Sequence, residues 1–420
     1  MEVKDFTPDE TQTEAIEASC DVDSRVVSVT GPAGTGKTTI LKKAYEVLVT
    51  AGYTPVLCAP TGKAAKRIKE ATGIPAMTQH RLLEYTHPGE RDADTGKVIG
   101  HSYPKRDKRN PLEYDAVFGD EYAMVNHELH RNTFDALPPG GLIRVFGDIN
   151  QLKPIERSIP LREKPSPFRE LLDNKKLKSV YLDHNYRQEE GSGIIFNAHR
   201  ILRGFIPQRM DDFQMNITNS PIDMIFSIIT EAHGDGVDFA SIDHQIITPG
   251  NKSWVGTVKL NASLQSFLRS ETDLWQHIPR HKWIKTPVRM RPLDKVVVTS
   301  NNYTLEVFNG ETGIIQEITD YGEIAIDLGD RTVVIPPVQA VMHSSGKMIE
   351  IDPRKDIDLA YAMTTHKCQG SEYGHVIYVI NKSTGYSQSR PNFYTAVTRA
   401  RTKVNLVADQ RSLSTSVWKM

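Results

Sequence analysis

The chain has 420 residues, too many for one compact core and enough for two or three domains. Charged residues make up 25% of it, yet the net charge is −1, which excludes attraction of nucleic acid or membrane by bulk charge and leaves only a local basic surface for such a partner. The polar, acidic start MEVKDFTPDETQ, the lack of any run of eighteen apolar residues, and three cysteines (Cys20, Cys58, Cys368) without metal-ligand or pairing spacing predict no signal peptide, no membrane span and a reducing cytoplasm.

The first predicted strand, residues 26–30 (VVSVT), runs directly into GPAGTGKT at 31–38 and then into a stretch rich in Lys, Leu and Ala. This is the phosphate-binding pattern GxxxxGK[ST] in its strand-loop-helix setting. Gly31, Gly34 and Gly36 let successive N–H groups converge on an anion, and with Pro32, Ala33, Thr35 and Thr39 they form the candidate cradle for ATP. Lys37 supplies a point charge to the β- and γ-phosphates, and the Thr38 hydroxyl is placed for Mg²⁺.

Further strands are predicted at 55–59, 114–119, 142–147 and 179–182, alternating with helical patterns, so the class is α/β with a mostly parallel sheet. Asp120 and Glu121 end one apolar strand, where the carboxyl edge of a parallel sheet faces ligand. Asp120 would hold Mg²⁺ through water, and Glu121 would polarise the attacking water as general base. The next strand leads into Asp148 and Gln151, the latter expected at the γ-phosphate. Ahead of the strand that ends in Asp120, residues 85–111 are polar, contain GERDADTG and carry Lys105, Arg106, Lys108 and Arg109, which predicts an inserted hairpin. After residue 204 a less patterned bridge leads to a second αβ region, beginning near Ile242, with strands at 375–380 and 403–407. Short alternating runs at 295–351, separated by Asn-Gly and Gly-Asp turns, predict a small all-β insert.

In chain order, GPAGTGKT, APTGKAAKRI (59–68), TQHRLL (78–83), DEYAM (120–124), FGDINQLKPI (146–155), HNYRQ (184–188), TTHKCQGSEY (364–373) and YTAVTRAR (394–401) resemble motifs I, Ia, Ib, II, III, IV, V and VI of superfamily 1 helicases. The spacing and the HKCQGSE form of motif V resemble most the RecD/Dda branch, superfamily 1B, whose members translocate 5′ to 3′ on single-stranded DNA. The resemblance implies two RecA-like P-loop lobes. Lobe 1A would comprise 1–84 and 112–204, a duplex-splitting pin 85–111, lobe 2A 205–294 and 352–420, and an SH3-like insert 295–351. Tyr85, His87, His101 and Tyr103 are the wedge candidates in the pin.

Arg187 and Arg399 are expected to reach ATP and stabilise charge on the γ-phosphate in the transition state. The resemblance further implies that Gln12 reads adenine and that Gly370 and Glu372 lie near the nucleotide. DNA contacts are expected from Pro60, Thr61, Lys63, Thr78 and His80 in the first lobe, and from Thr248, Asn251, Thr364 and His366 in the second. Hydroxyls, amides and imidazoles of this kind hold phosphate and sugar without reading sequence. The activity implied is that of a DNA-stimulated ATP hydrolase and DNA helicase, in DNA replication, recombination or repair, of a size that suits a stand-alone viral or plasmid enzyme. Its partners would be single-stranded DNA and duplex junctions, with a single-strand-binding, replisome or recombination protein as a further candidate, and it would act as a monomer. A superfamily 1A helicase of UvrD/Rep type moving 3′ to 5′ is the alternative enzyme, and a nucleotide-gated DNA-binding module the alternative without unwinding.

Overall fold

The computed structural model describes residues 7–86, 103–156, 159–183, 191–268, 276–278, 288–302, 304–342, 348–385 and 387–419. The chain divides into two compact units, residues 1–190 and residues 191–342 with 347–420.

The first unit is built on β1 (Val26–Thr30), β2 (Pro55–Ala59), β3 (Ala76–Thr78), β4 (Ala116–Gly119), β5 (Leu142–Gly147) and β6 (Lys178–Tyr181). They form a six-stranded sheet in the order β3-β2-β4-β5-β1-β6, parallel throughout. Helices α1 (Glu10–Cys20), α2 (Lys37–Thr50), α3 (Gly62–Thr72), α4 (Gln79–Leu82), α5 (His127–Asp135), α6 (Ile159–Glu163) and α7 (Pro167–Asp173) accompany these strands along the chain. Side chains of a strand alternate between faces, and the core alternates with them. Val27, Leu57, Phe118 and Phe146 join one apolar cluster, while Val56, Val117, Ile143 and Val145 join another. A sheet buried on both faces needs near-continuous apolar strands, and VVSVT, PVLCA and AVFG supply them.

From residue 191 the chain runs through α8 (Gly193–Leu202), β7 (Phe213–Ile217), α9 (Pro221–Gly234), β8 (Gln245–Thr248) and α10 (Thr257–Leu268). It then forms the short pair β9 (Gln276–Ile278) and β10 (Val288–Met290), followed by β11 (Lys295–Val298), β12 (Thr312–Ile318), β13 (Ile324–Asp327) and β14 (Thr332–Ile335). Next come β15 (Gln339–Met342), β16 (Met348–Ile351), β17 (Ile357–Leu359), β18 (Ala362–Thr364), β19 (Tyr373–Ile380), α11 (Arg390–Val397), β20 (Ala400–Ala408) and α12 (Gln410–Trp418). A parallel sheet of order β18-β8-β19-β20-β7 is the frame of this unit. Beside it stands an antiparallel sheet of order β14-β13-β12-β11-β17, with β15 and β16 as a separate hairpin.

Three boundaries differ from the sequence expectation. Helix α8, expected in the first lobe, packs Ile194, Ala198 and Ile201 into the cluster of Phe393, Val397 and Leu413, so the division falls at 190/191 and not at 204. The bridge after 204 contains β7, whose polar sequence FQMNI hides an edge strand paired with β20. The all-β insert does not end at 351, because β17 completes its sheet by pairing with β11. Nor does it have a core of its own: Val296, Ile315 and Ile326 share one cluster with Ile228 of α9, Ile246 of β8 and Ile377 of β19. Of the expected pin, residues 87–102 lie outside the described residues, His87 and His101 among them. Its two ends are joined, since Thr86 N–H donates to Tyr103 O (2.9 Å) and Tyr103 N–H to the Thr86 hydroxyl (3.1 Å).

Candidate nucleotide and nucleic-acid sites

The phosphate loop leaves β1 and enters α2 through two left-handed glycines, Gly34 (φ +87°) and Gly36 (φ +82°). The left-handed dihedral demands glycine at 36, where a Cβ would also displace the Gln12 amide nitrogen, 2.6 Å away. Lys37 folds its ammonium onto the loop's own carbonyls, donating to Gly31 O and Pro32 O at 2.7 Å each. The cation is therefore held within the cradle that a phosphate would enter. Thr35 is buried, with its hydroxyl donating to Pro32 O, while Thr38 and Thr39, on the first turn of α2, are half-buried.

Gln12 sits on α1 as the third residue after the cap Asp9, and its side-chain oxygen accepts the Asp9 N–H in a capping box. Its amide nitrogen donates to Thr35 O at 3.1 Å, and the residue is 1% exposed. The structure thus places Gln12 as a brace of the phosphate loop. The other end of α1 is fixed by Arg144 of β5, a fully buried guanidinium. It donates to Ser19 O (2.7 Å), Asp21 O (2.6 Å) and Ser24 O (2.9 Å). An arginine amid an apolar strand (LIRVFG) carried no motif signal, and each of its three nitrogens donates to the end of α1 or the turn after it.

The strand order puts β5 between β4 and β1, so Asp120-Glu121, Asp148 to Gln151 and the phosphate loop all emerge from the carboxyl edge of three neighbouring strands. Hydrogen bonds from backbone N–H groups tie these strand ends together. Gly31 N–H donates to Gly147 O, Ile149 N–H to the Thr30 hydroxyl, and Asp120 N–H to Cys58 O. Asp120 is 8% exposed, and burial together with the adjacent Glu121 carboxylate holds its carboxyl above the usual range, against the pull of Lys37 and Arg67. A buried carboxylate so disfavoured as an anion suits a divalent cation. Arg67, on α3, was missed by the sequence reading.

Glu121 has φ +51°, a left-handed backbone costing a non-glycine residue about 1–2 kcal/mol. Strain of this kind concentrates at functional positions. Gln151 is 6% exposed, and its Oε1 has no hydrogen-bond partner among the described residues. An acceptor left without a protein partner is what a water-orienting residue requires. Beneath this edge, Glu156 accepts from the His127 N–H (3.0 Å) and lies 2.7 Å from His127 Nδ1, joining the chain after Gln151 to the start of α5.

In the second unit Arg399 is 2% exposed, its guanidinium donating to Thr395 O (3.1 Å) and Ser371 O (3.3 Å). Those bonds connect the end of α11 to the turn holding Gly370 (φ +72°) and half-buried Glu372. Asn392, another residue missed in the sequence, lies 2.6 Å from the Thr365 hydroxyl and 3.0 Å from the Tyr378 hydroxyl, locking that turn to β19 and α11. Arg187 lies outside the described residues.

The expected DNA-facing residues fall into two groups. Thr61 and Thr78 are the caps of α3 and α4, accepting from Ala64 N–H and Arg81 N–H, with half-buried Pro60, Lys63 and His80 beside them. His80 packs against Tyr85 at 4.8 Å, and the Tyr85 hydroxyl accepts from Asn132. Thr248 corrects the expectation: its side chain is wholly buried, and the hydroxyl donates to Val255 O to fasten the following loop. Thr364 is likewise 7% exposed, its hydroxyl accepting the Lys367 N–H. Burial lowers the His366 imidazole below its ordinary value, so it stays neutral. Asn251 is exposed.

A family model for an AAA domain matches residues 12–157, and one for a UvrD-like helicase C-terminal domain matches 359–407. The ATP-dependent RecD2 DNA helicase of Deinococcus radiodurans is 31% identical over 382 residues, 90% of this chain and 46% of the relative. The RecBCD enzyme subunit RecD of Mycobacterium tuberculosis is 26% identical over 429 residues, 93% of this chain and 68% of the relative. The chain thus spans about half the length of the RecD2 relative. Among solved structures, the Pif1 helicase from Bacteroides in complex with ADP-AlF3 and ssDNA superposes with a TM-score of 0.60 at 20% identity, covering 96% of this chain and 93% of that one. Pif1 helicase from Candida albicans gives 0.55 at 17% identity, with 97% of each chain covered. At such identities the likeness is one of fold.

Proposed function

We propose that this chain is a RecD-like helicase of superfamily 1B, an ATP-dependent DNA helicase that moves 5′ to 3′ on single-stranded DNA and unwinds duplexes. The observation that carries the reading is the edge formed by β4, β5 and β1, where the phosphate loop, a buried carboxylate, a strained Glu121 and an orphaned Gln151 acceptor emerge side by side. No other group of residues described above collects the parts that phosphoanhydride hydrolysis needs.

In this reading the loop N–H groups and Lys37 bind the phosphates, and Lys37 exchanges two carbonyls for phosphate oxygens as ATP enters. Thr38 and Asp120 would hold Mg²⁺, whose charge, when bound, offsets that of the β- and γ-phosphates. Glu121 takes the proton of the attacking water, and Gln151 orients that water through its free acceptor. Arg187 and Arg399 are the proposed sources of positive charge for the transition state. Gly370 and Glu372 remain proposed nucleotide neighbours, and Pro60, Thr61, Lys63, Thr78, His80, Asn251 and His366 proposed neighbours of the DNA strand. Single-stranded DNA and duplex junctions are the proposed partners.

DNA-stimulated ATP hydrolysis tests this. Lys37→Ala should abolish turnover, and Glu121→Gln should retain ATP binding while losing about a hundredfold or more in kcat, the usual worth of a general base. Normal turnover by Glu121→Gln would remove the base from the scheme, and hydrolysis indifferent to DNA would remove the motor.

A further inference from the structure

The loop between β8 and α10 carries an exposed tryptophan. Trp254 is 59% exposed, an uncommon condition for so large an apolar ring, and the Lys259 ammonium lies directly over one of its faces. More than half of the residue stays exposed with that ammonium in place, so ring surface remains available to a ligand. The loop beneath is built, not slack. The Trp254 N–H donates to the Ser383 hydroxyl (3.0 Å), Thr257 donates to Asn251 Oδ1 (2.8 Å), Thr257 N–H to Gly250 O (3.2 Å), and the buried Thr248 hydroxyl to Val255 O (2.8 Å). These bonds fix the loop that carries the ring at the carboxyl end of β8. Around it the exposed surface is basic and polar, with Asn251 and Lys252 on the same loop and Lys382 adjoining Ser383.

We infer that Trp254 is a stacking platform for one base of a single-stranded nucleic acid, with Lys252, Lys259 and Lys382 drawing in the flanking phosphates; this rests on the helicase reading above. An aromatic face accepts any base, and ammonium groups accept any phosphate, so the combination grips a strand without regard to sequence. The ammonium over the ring adds attraction by holding the indole in place. The occupant is a single strand because a paired base offers no free face to a side chain standing on a surface.

The test uses a fluorescent twelve-residue oligo-dT and an otherwise identical abasic oligonucleotide, read by anisotropy without nucleotide, alongside tryptophan fluorescence. Trp254→Ala should weaken oligo-dT binding by about fivefold or more, the range that stacking of one base supports, and leave abasic binding and the DNA-independent ATPase unchanged. Trp254→Phe should recover most of the affinity while losing the fluorescence quench that oligo-dT causes in the unsubstituted protein. Equal weakening on both oligonucleotides, or unaltered oligo-dT affinity in Trp254→Ala, would overturn the stacking assignment while leaving the helicase reading intact. Failure of the unsubstituted protein to bind either oligonucleotide would instead defeat the helicase reading itself, and the platform with it.

Discussion

The two parallel sheets of this chain are built alike and used differently. In the first, polar groups at the carboxyl edge are left in costly states: Asp120 buried as an anion, Glu121 in a left-handed backbone, and Gln151 Oε1 without a partner. In the second, several residues that shape the turns find their partners within the unit, with Arg399 on two carbonyls, Thr365 and Tyr378 on Asn392, and Thr248 on Val255 O. Unsatisfied groups await a ligand, whereas satisfied ones make a turn rigid. The first sheet therefore has the character of a chemical site, and the second that of a stiff frame presenting its loops.

Arg144 offers the sharpest way to break this contrast, since it is the first unit's own internally satisfied arginine. Replacing Arg144 with Met removes the donors to the buried Ser19 carbonyl and to the carbonyls of half-buried Asp21 and Ser24, so stability should fall by about 2–4 kcal/mol. Because α1 also carries Gln12, the KM for ATP should rise more than kcat falls. Arg144→Lys should not rescue, as one ammonium cannot span three carbonyls. Thermal unfolding with steady-state kinetics checks this, and an unchanged KM in a destabilised variant would show that α1 does not steady the phosphate loop.

Acid should expose a smaller weakness in the frame. Burial, with Lys403 and His244 nearby, pushes the His375 imidazole down to about 4, and burial beside His127 does the same to His130 in the first unit. The unfolded chain takes up these protons near pH 6.5 and the folded one only near 4. The stability they confer is therefore complete above pH 6.5 and is lost as the pH falls through that interval. For His375 the loss between pH 7 and 5 should be about 2 kcal/mol. His375→Phe, placed against Phe239, which His375 meets edge-on at 5.0 Å, should flatten the dependence of the thermal midpoint on pH in that range. An equally steep profile in the variant would assign the acid sensitivity elsewhere.

Much of this architecture could be read from local pattern. Strands β1, β2 and β5 stand at the residues that their apolar runs marked, and the phosphate loop follows from GPAGTGKT because that spacing has one physical use. What escaped the sequence is long-range. Arg144 looks like a misplaced charge until α1 is packed on β5, and Asn392 carries no meaning until Thr365 and Tyr378 reach it. The edge strand β7 was invisible because FQMNI, half exposed, does not alternate cleanly. Thr248 was misjudged for the reverse reason: a threonine beside Pro-Gly-Asn invites a DNA contact, but its hydroxyl is consumed inside the loop, and the exposed ring three residues beyond Asn251 was passed over.

The central claim is directional unwinding, and strand displacement tests it most directly. Two duplexes, one with a 5′ single-stranded tail and one with a 3′ tail, are offered with ATP and Mg²⁺, and Lys37→Ala serves as control. Unwinding confined to the 5′-tailed duplex, and lost in Lys37→Ala, is the predicted result. Unwinding confined to the 3′-tailed duplex, or displacement that persists in Lys37→Ala, would contradict it.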